Sequence, residues 1–293
     1  MTASLRPYLT LMRPANLVTA VADILAGASV AAAVSGGWDS QVTWLCLATI
    51  GLYGGGVVFN DVFDADLDRI ERPERAIPSG QVTLASAILL GGILLIGGVV
   101  AAALVGSSSA AIALAVATLA LVYNAKAKHH PVFGPLVMGM CRGGNLLLGI
   151  SLTARAFEQY WWLGLLPVLF IAAITLTSRG EVGGNNQRSI GLAMWLDGIV
   201  AAAILLLPWY TVAEPLPAYP FFALWYGMNF LAKRDAIRDN RPPLIKKAVK
   251  TGVLSLIPLN ACLAASFMGL PAGFLVLALL PLSIGLARYF AVT

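Results

Sequence analysis

What most restricts this chain is a succession of apolar runs of about 17–24 residues, each long enough for a helix to cross the hydrocarbon of a bilayer. The runs lie near residues 15–35, 42–62, 82–105, 109–124, 132–153, 160–178, 192–211, 218–235, 249–269 and 271–291. Inside a bilayer every backbone N–H and C=O must pair within the protein, and only helices and closed barrels achieve that. Barrel strands would be shorter and would alternate polar with apolar residues. The expected fold is therefore an all-α membrane bundle of nine or ten transmembrane helices. The uncertainty in number comes from the last two runs, which only Gly269 to Pro271 separates. Composition agrees: 59% of the 293 residues are hydrophobic and 11% charged, against about 25% charged in a soluble domain. No linker or low-complexity stretch divides the chain, so residues 1–293 read as a single polytopic unit. The small residues that end the first run, Ala28 to Ala33, faintly mimic a signal cleavage site, but the run reads as a retained anchor.

Charge sets the orientation. Of the nineteen Lys and Arg residues, all but Arg142 and Arg155 fall in the N-terminal segment, in every second loop or near the C-terminus. Basic residues gather on the cytoplasmic side. Both termini are thus expected in the cytoplasm, with a bacterial inner membrane as the setting. The net charge of +5 needs no nucleic acid as partner; anionic lipid headgroups suffice. Cys46, Cys141 and Cys262 lie inside apolar runs at spacings that fit no metal site, and read as packing residues.

The most informative segment runs from Phe59 to Asp68 at the end of the second span. On a continuous helix Asn60, Asp61, Asp64 and Asp68 share one face, and Asp66 points elsewhere. Like charges so placed repel and raise one another's pKa. At a helix C-terminus they would also oppose the macrodipole. A hard divalent cation relieves both costs. Mg²⁺ suits the set, because it binds through a few carboxylates together with substrate phosphates. The loop that follows, Arg69 to Gly80, brings Arg72 and Arg75 within reach of such a phosphate. Ser79 is a candidate either to cap the third span or to bond a phosphate oxygen.

These residues resemble the UbiA family of intramembrane prenyltransferases. Asn60 to Asp68 matches its Asn-Asp-x-x-Asp-x-x-x-Asp run, and Arg72 to Gly80 its Arg-Pro-x-Arg-x-x-Pro-Ser-Gly loop. Arg13-Pro14 resembles the family's start, and Tyr123 with Lys128 its Tyr-to-Lys spacing. The resemblance implies helices around a cytoplasm-facing cavity. It implies Mg²⁺-dependent transfer of a prenyl group from an isoprenoid diphosphate to a small hydrophobic acceptor, often aromatic. Asn60, Asp61, Asp64 and Asp68 would hold metal. At the place of the family's second Asp-x-x-x-Asp motif this chain reads Thr177 to Arg188, where Glu181 is the only acid and Asn185 lies four residues on. Glu181 is then the expected further ligand, with Arg179 and Arg188 helping to hold the diphosphate. The Ser178 to Val182 segment resembles a branch of the family called EboC-like. With the second motif thinned, the alternative is a non-catalytic member that binds or moves a lipid or precursor across the membrane.

Other polar residues lie at membrane depth, where they are costly unless they face a cavity or a partner. Arg142 and Asn145 in the fifth span are candidate substrate contacts, as is Asn16 in the first. For Arg142, snorkelling to the interface is an equal alternative. Asp23 is expected to line the cavity with Asn16 and Thr19, and Asp197 to pair with an interior polar group. Gly143 and Gly144 would allow close helix approach. His129 and His130, adjacent to each other beside Pro131, read as a surface loop.

Overall fold

The structure is a computed structural model and describes residues 5–290. Among these residues there are fourteen α-helices and no strand. In the N-terminal half they are α1 (Arg6–Met12), α2 (Pro14–Ser35), α3 (Val42–Phe63), α4 (Ala65–Glu71), α5 (Leu84–Ala103), α6 (Ser107–Val122) and α7 (Phe133–Ile150). The C-terminal half holds α8 (Ala154–Tyr160), α9 (Leu165–Ser178), α10 (Gln187–Tyr210), α11 (Pro215–Arg238), α12 (Pro242–Leu254), α13 (Leu256–Leu277) and α14 (Leu279–Tyr289). A π-helical turn, Tyr123–Ala127, extends α6, and a 3-10 turn, Trp161–Gly164, joins α8 to α9. Seven stretches are long and apolar enough to cross a membrane, the last being Pro242–Tyr289, which contains three helices. The chain is thus an integral, multi-pass helical membrane protein, and each of the ten apolar runs falls on helix.

Helix α2 is the central post. It packs on α3, α7, α13 and α14, and most of its residues are buried. Glycine permits its close crossing with α7: a Cβ on Gly27 would lie 2.3 Å from the Leu146 carbonyl oxygen, and one on Gly149 would lie 2.4 Å from that of Ile24. Gly143 and Gly144 act as expected, with a Cβ on Gly143 meeting the Gly164 carbonyl at 2.5 Å.

Two breaks were not legible in the run lengths, and a third falls where Gly269 to Pro271 was expected to separate the last two runs. First, the second run does not continue through its aspartates. Asp64 ends α3 and begins α4 at φ −92°, ψ 2°. Asp66 and Asp68 therefore sit in the first turn of a helix, where the macrodipole favours them, so the expected dipole penalty does not arise. Second, the ninth run breaks at Ser255, between α12 and α13. Third, α13 kinks at Gly269 (φ 77°, ψ −179°) just before Pro271, which cannot donate to the preceding turn. The Glu214 N–H, from the α10–α11 connection, reaches the Ser266 carbonyl at 2.6 Å beside this kink. Thr83, not Ser79, caps α5, its Oγ1 accepting from the Ser86 N–H at 3.1 Å. Ser79 instead accepts from the Gln81 amide.

Candidate active site

A cavity of about 1160 Å³ opens among α1, the end of α3, the α4–α5 loop, the α9–α10 loop and α12. Asp61, Arg72, Arg75 and Glu181 all line it, so residues far apart in the chain meet there. Its wall also carries Arg6, Arg13, Lys246 and Lys250, with Tyr8, Leu11 and Phe290 adding apolar surface.

The aspartates are held by cations. Arg13 donates to Asp61 Oδ1 at 3.0 Å, and Arg75 reaches the same oxygen at 3.4 Å. Arg75 also donates to Asp68 Oδ2 at 2.7 Å. Lys128 donates to Asp64. Asp61 and Asp68 are buried and Asp64 half-buried. Their mutual repulsion is thus relieved within the protein. Arg13, which joins α1 to α2, adopts a left-handed φ of 48°, a costly conformation for a non-glycine residue. Asn60 donates to Asn124 Oδ1 at 3.0 Å, and Asn124 donates to the Gly56 carbonyl at 2.8 Å. The π turn carrying Asn124 also carries Tyr123, which is half-buried.

Glu181 lies outside the spans, in the α9–α10 loop. Burial pushes its carboxyl above the ordinary glutamate range, while Lys246 and Arg72 pull the other way. The loop is pinned by Asn186, whose Nδ2 donates to the Thr177 carbonyl at 2.9 Å and whose N–H donates to Asn240 Oδ1 at 2.7 Å. Asn185 is exposed at φ 55°.

Other expected contacts lie elsewhere. Arg179 is exposed and donates to the Pro131 carbonyl, and Arg188 is exposed at the start of α10; neither lines the cavity. Asn16, Arg142 and Asn145 are buried in the bundle. Arg142 neither faces the cavity nor snorkels: its Nε lies 3.1 Å from Asp23 Oδ2 and its Nη2 donates to Thr19 at 2.9 Å. Asn145 and Asn260 donate to the two oxygens of Asp23 at 3.0 and 2.6 Å, and Thr49 donates to Asn145 at 2.6 Å. Asp23, fully buried, is the hub of this network and does not line the cavity. A second interior pair joins Lys233 of α11 to Asp197 of α10 at 2.5 Å, the interior partner expected for Asp197. His129 and His130 are exposed, and His130 Nδ1 accepts from the Val132 and Phe133 N–H groups at the start of α7. All three cysteines are free thiols.

Among the described residues no three His, Cys, Asp or Glu side chains form a ready-made metal cage. A hard divalent cation of the Mg²⁺ kind does not need one, since it takes one or two carboxylates and completes its shell with water and substrate phosphate. Carboxylate oxygens beside a cavity rimmed with arginine fit that mode of binding.

Sequence reading missed Arg13, Asn124, Lys246 and Lys250 as parts of this region. Arg13 was legible only as part of the family's start. The two lysines stood in a stretch of seven basic residues in one loop, which gave no means of choosing among them.

Comparison with known proteins gives a consistent picture. The model of the UbiA prenyltransferase family matches residues 20–233. The digeranylgeranylglyceryl phosphate synthase of Metallosphaera sedula is 29% identical over 237 residues, covering 76% of this chain and 81% of that protein. The enzyme of the same name from Methanoculleus marisnigri is 31% identical over 232 residues, covering 78% and 81%. A solved UbiA homologue from Archaeoglobus fulgidus, bound to GPP and Mg²⁺, superposes with a TM-score of 0.64 at 16% identity, over 93% of this chain and 99% of that one. At that identity the superposition speaks for the fold.

Proposed function

This chain belongs to the UbiA prenyltransferase family, and from that membership we propose Mg²⁺-dependent transfer of a prenyl group from an isoprenoid diphosphate to a lipophilic acceptor within the membrane. The observation that carries this reading is the convergence of Asp61, Glu181, Arg72 and Arg75 on one cavity. Asn60, Asp61, Asp64, Asp68 and Glu181 are the residues that would hold the metal. When bound there, Mg²⁺ would supply positive charge that stabilises the leaving diphosphate. Arg72 and Arg75 receive the diphosphate oxygens, with Arg13 and Lys128 free to join them whenever their carboxylates take other partners. Leu11, Ala287 and Phe290 supply the apolar wall against which the allylic end of the chain rests, away from water.

The family resemblance suggests an aromatic acceptor, whereas the curated relatives are named for a glyceryl phosphate product. The basic lining of this cavity favours an amphiphilic acceptor over a neutral aromatic one. The concentration of basic residues on the cavity side supports a cytoplasmic opening. The packing of α13 and α14 on α2 supports one functional unit that extends beyond the span matched by the family.

The test is binding of geranylgeranyl diphosphate to the purified protein, with and without Mg²⁺. The wild type should bind only with Mg²⁺, and Asp64→Ala and Glu181→Ala should each abolish binding. Mg²⁺-independent binding, or none by the wild type, would remove the reading. Normal binding by Glu181→Ala would take Glu181 out of the metal site.

A further inference from the structure

The α9–α10 connection, residues 179–186, carries Glu181 as its only acid and three glycines among its eight residues. Glycine widens the conformational freedom of a chain, so a lone carboxylate on such a loop would lose much entropy on being held at one point. The fold does not leave this loop free. Asn186 turns back across it, and its Nδ2 donates to the Thr177 carbonyl at 2.9 Å, closing the loop at its base. The Asn186 side chain fits there because residue 180 is glycine: a Cβ on Gly180 would lie 2.3 Å from Asn186 Cγ.

A second asparagine, Asn240 in the α11–α12 connection, holds Asn186 from the other side. Asn240 Oδ1 accepts from the Asn186 N–H at 2.7 Å. Asn240 Nδ2 donates to Asn186 Oδ1 at 3.2 Å and to the Ala236 carbonyl at 2.8 Å. Gly184 makes this approach possible. It stands at φ 67°, and a Cβ on it would lie 2.7 Å from the Asn240 carbonyl oxygen. Asn186 is buried and Asn240 half-buried, so water competes little for these bonds. The two residues are fifty-four apart in the chain. Their pairing staples the Glu181 loop to the start of α12, the helix that brings Lys246 to the same cavity.

Resting on the transferase reading above, with Glu181 at the metal, we propose that Asn186 and Asn240 are positioning residues: a clamp between two loops that holds Glu181 toward the cavity. Glu181 lines the cavity and neither asparagine does, so both act through the carboxylate they place. The clamp orders the loop when the protein folds, so that ordering does not count against metal binding later. A single acid held in this way can serve where a freely moving one could not. The glycines at 180 and 184 belong to the same device, because each leaves the room that an asparagine fills.

The experiment uses the full chain in detergent and measures binding of geranylgeranyl diphosphate across a Mg²⁺ titration. Amide hydrogen exchange of residues 178–187 is the second readout. Asn240→Ala and Gly184→Ala break the clamp from its two sides. Each should raise the Mg²⁺ concentration for half-maximal donor binding by about 10–100-fold, with full binding recovered at high Mg²⁺. The loop amides should exchange faster in both variants while those in the interior of α10 and α11 keep wild-type rates, which separates a released loop from an unfolded protein. Unchanged exchange across the loop would show that Asn240 does not hold it. Wild-type Mg²⁺ dependence in both variants, with Glu181→Ala defective, would overturn the clamp and leave the transferase reading standing. A loss of binding that no Mg²⁺ concentration restores would overturn it too, since that marks a general structural defect. Wild-type binding by Glu181→Ala would remove Glu181 from the metal, and the clamp with it. Failure of the wild type to bind the donor at all would remove both readings.

Discussion

Lys233 Nζ lies 2.5 Å from Asp197 Oδ2 within the bundle, and neither side chain is more than 4% exposed. The ammonium also sits 5.8 Å from the centre of the Phe170 ring. Removing one partner strands a charge in a medium that cannot solvate it, at a cost of about 3–5 kcal/mol. Asp197→Ala and Lys233→Ala should therefore each lower the unfolding temperature in detergent strongly. The double change Asp197→Leu with Lys233→Met should recover most of that loss. If the single and double variants are equally unstable, the pair is not what holds α10 to α11.

The Asp23 network has the same physics with more partners. Asp23→Leu leaves Arg142, Asn145 and Asn260 without their shared acceptor. Its destabilisation should exceed that of Asn260→Leu, which removes one donor at about 1–3 kcal/mol. Thermal unfolding of both variants decides the order. A milder effect at Asp23 would mean that Thr19 and water satisfy Arg142 unaided.

Close crossing of α2 and α7 gives a steric prediction. Gly149→Ala drives a Cβ into the Ile24 carbonyl, and overpacking of this kind costs about 1–3 kcal/mol or more. Gly92→Ala on α5 meets nothing within 4 Å and gains helix propensity. The first should lower the unfolding temperature and the second leave it unchanged or raised. Equal behaviour would argue against the crossing.

Because Arg13, Arg75 and Lys128 already neutralise the aspartates, folding should not depend on a metal. Chelation with EDTA should abolish prenyl transfer and leave the unfolding temperature of the substrate-free protein within about 2 °C, since no native contact is lost. Added Mg²⁺ should restore activity. A large fall in thermal stability on chelation would show that the carboxylates hold metal before substrate arrives.

The sequence announced a great deal of this architecture and some of its chemistry. Run length alone marked the apolar helical stretches, because a bilayer imposes a thickness, and seven of the helical stretches meet it. The aspartate pattern marked the region of the site, since clustered like charge demands compensation. What it did not show was which cations provide that compensation. Arg13 lies forty-eight residues from Asp61 and Lys128 sixty-four from Asp64, and spacing rules do not reach that far. The break at Asp64 was hidden for a related reason. Asp64 continues the periodicity of α3 while its backbone leaves the helical region, and only the dihedral angles reveal it. Arg142 was weighed as cavity-facing or snorkelling, and its buried partner Asp23 was assigned to the cavity instead. A helix crossing, not a motif, brings those two together.

The kink at Gly269 bears on how the molecule is made. A break in a helix leaves carbonyl groups without their partners in the next turn. Beside this break the Glu214 N–H already meets the Ser266 carbonyl. Residue 214 leaves the ribosome some fifty residues before the kink does. Synthesis from the N-terminus thus delivers the donor first, and the last crossings of the chain enter a membrane where their partner is waiting.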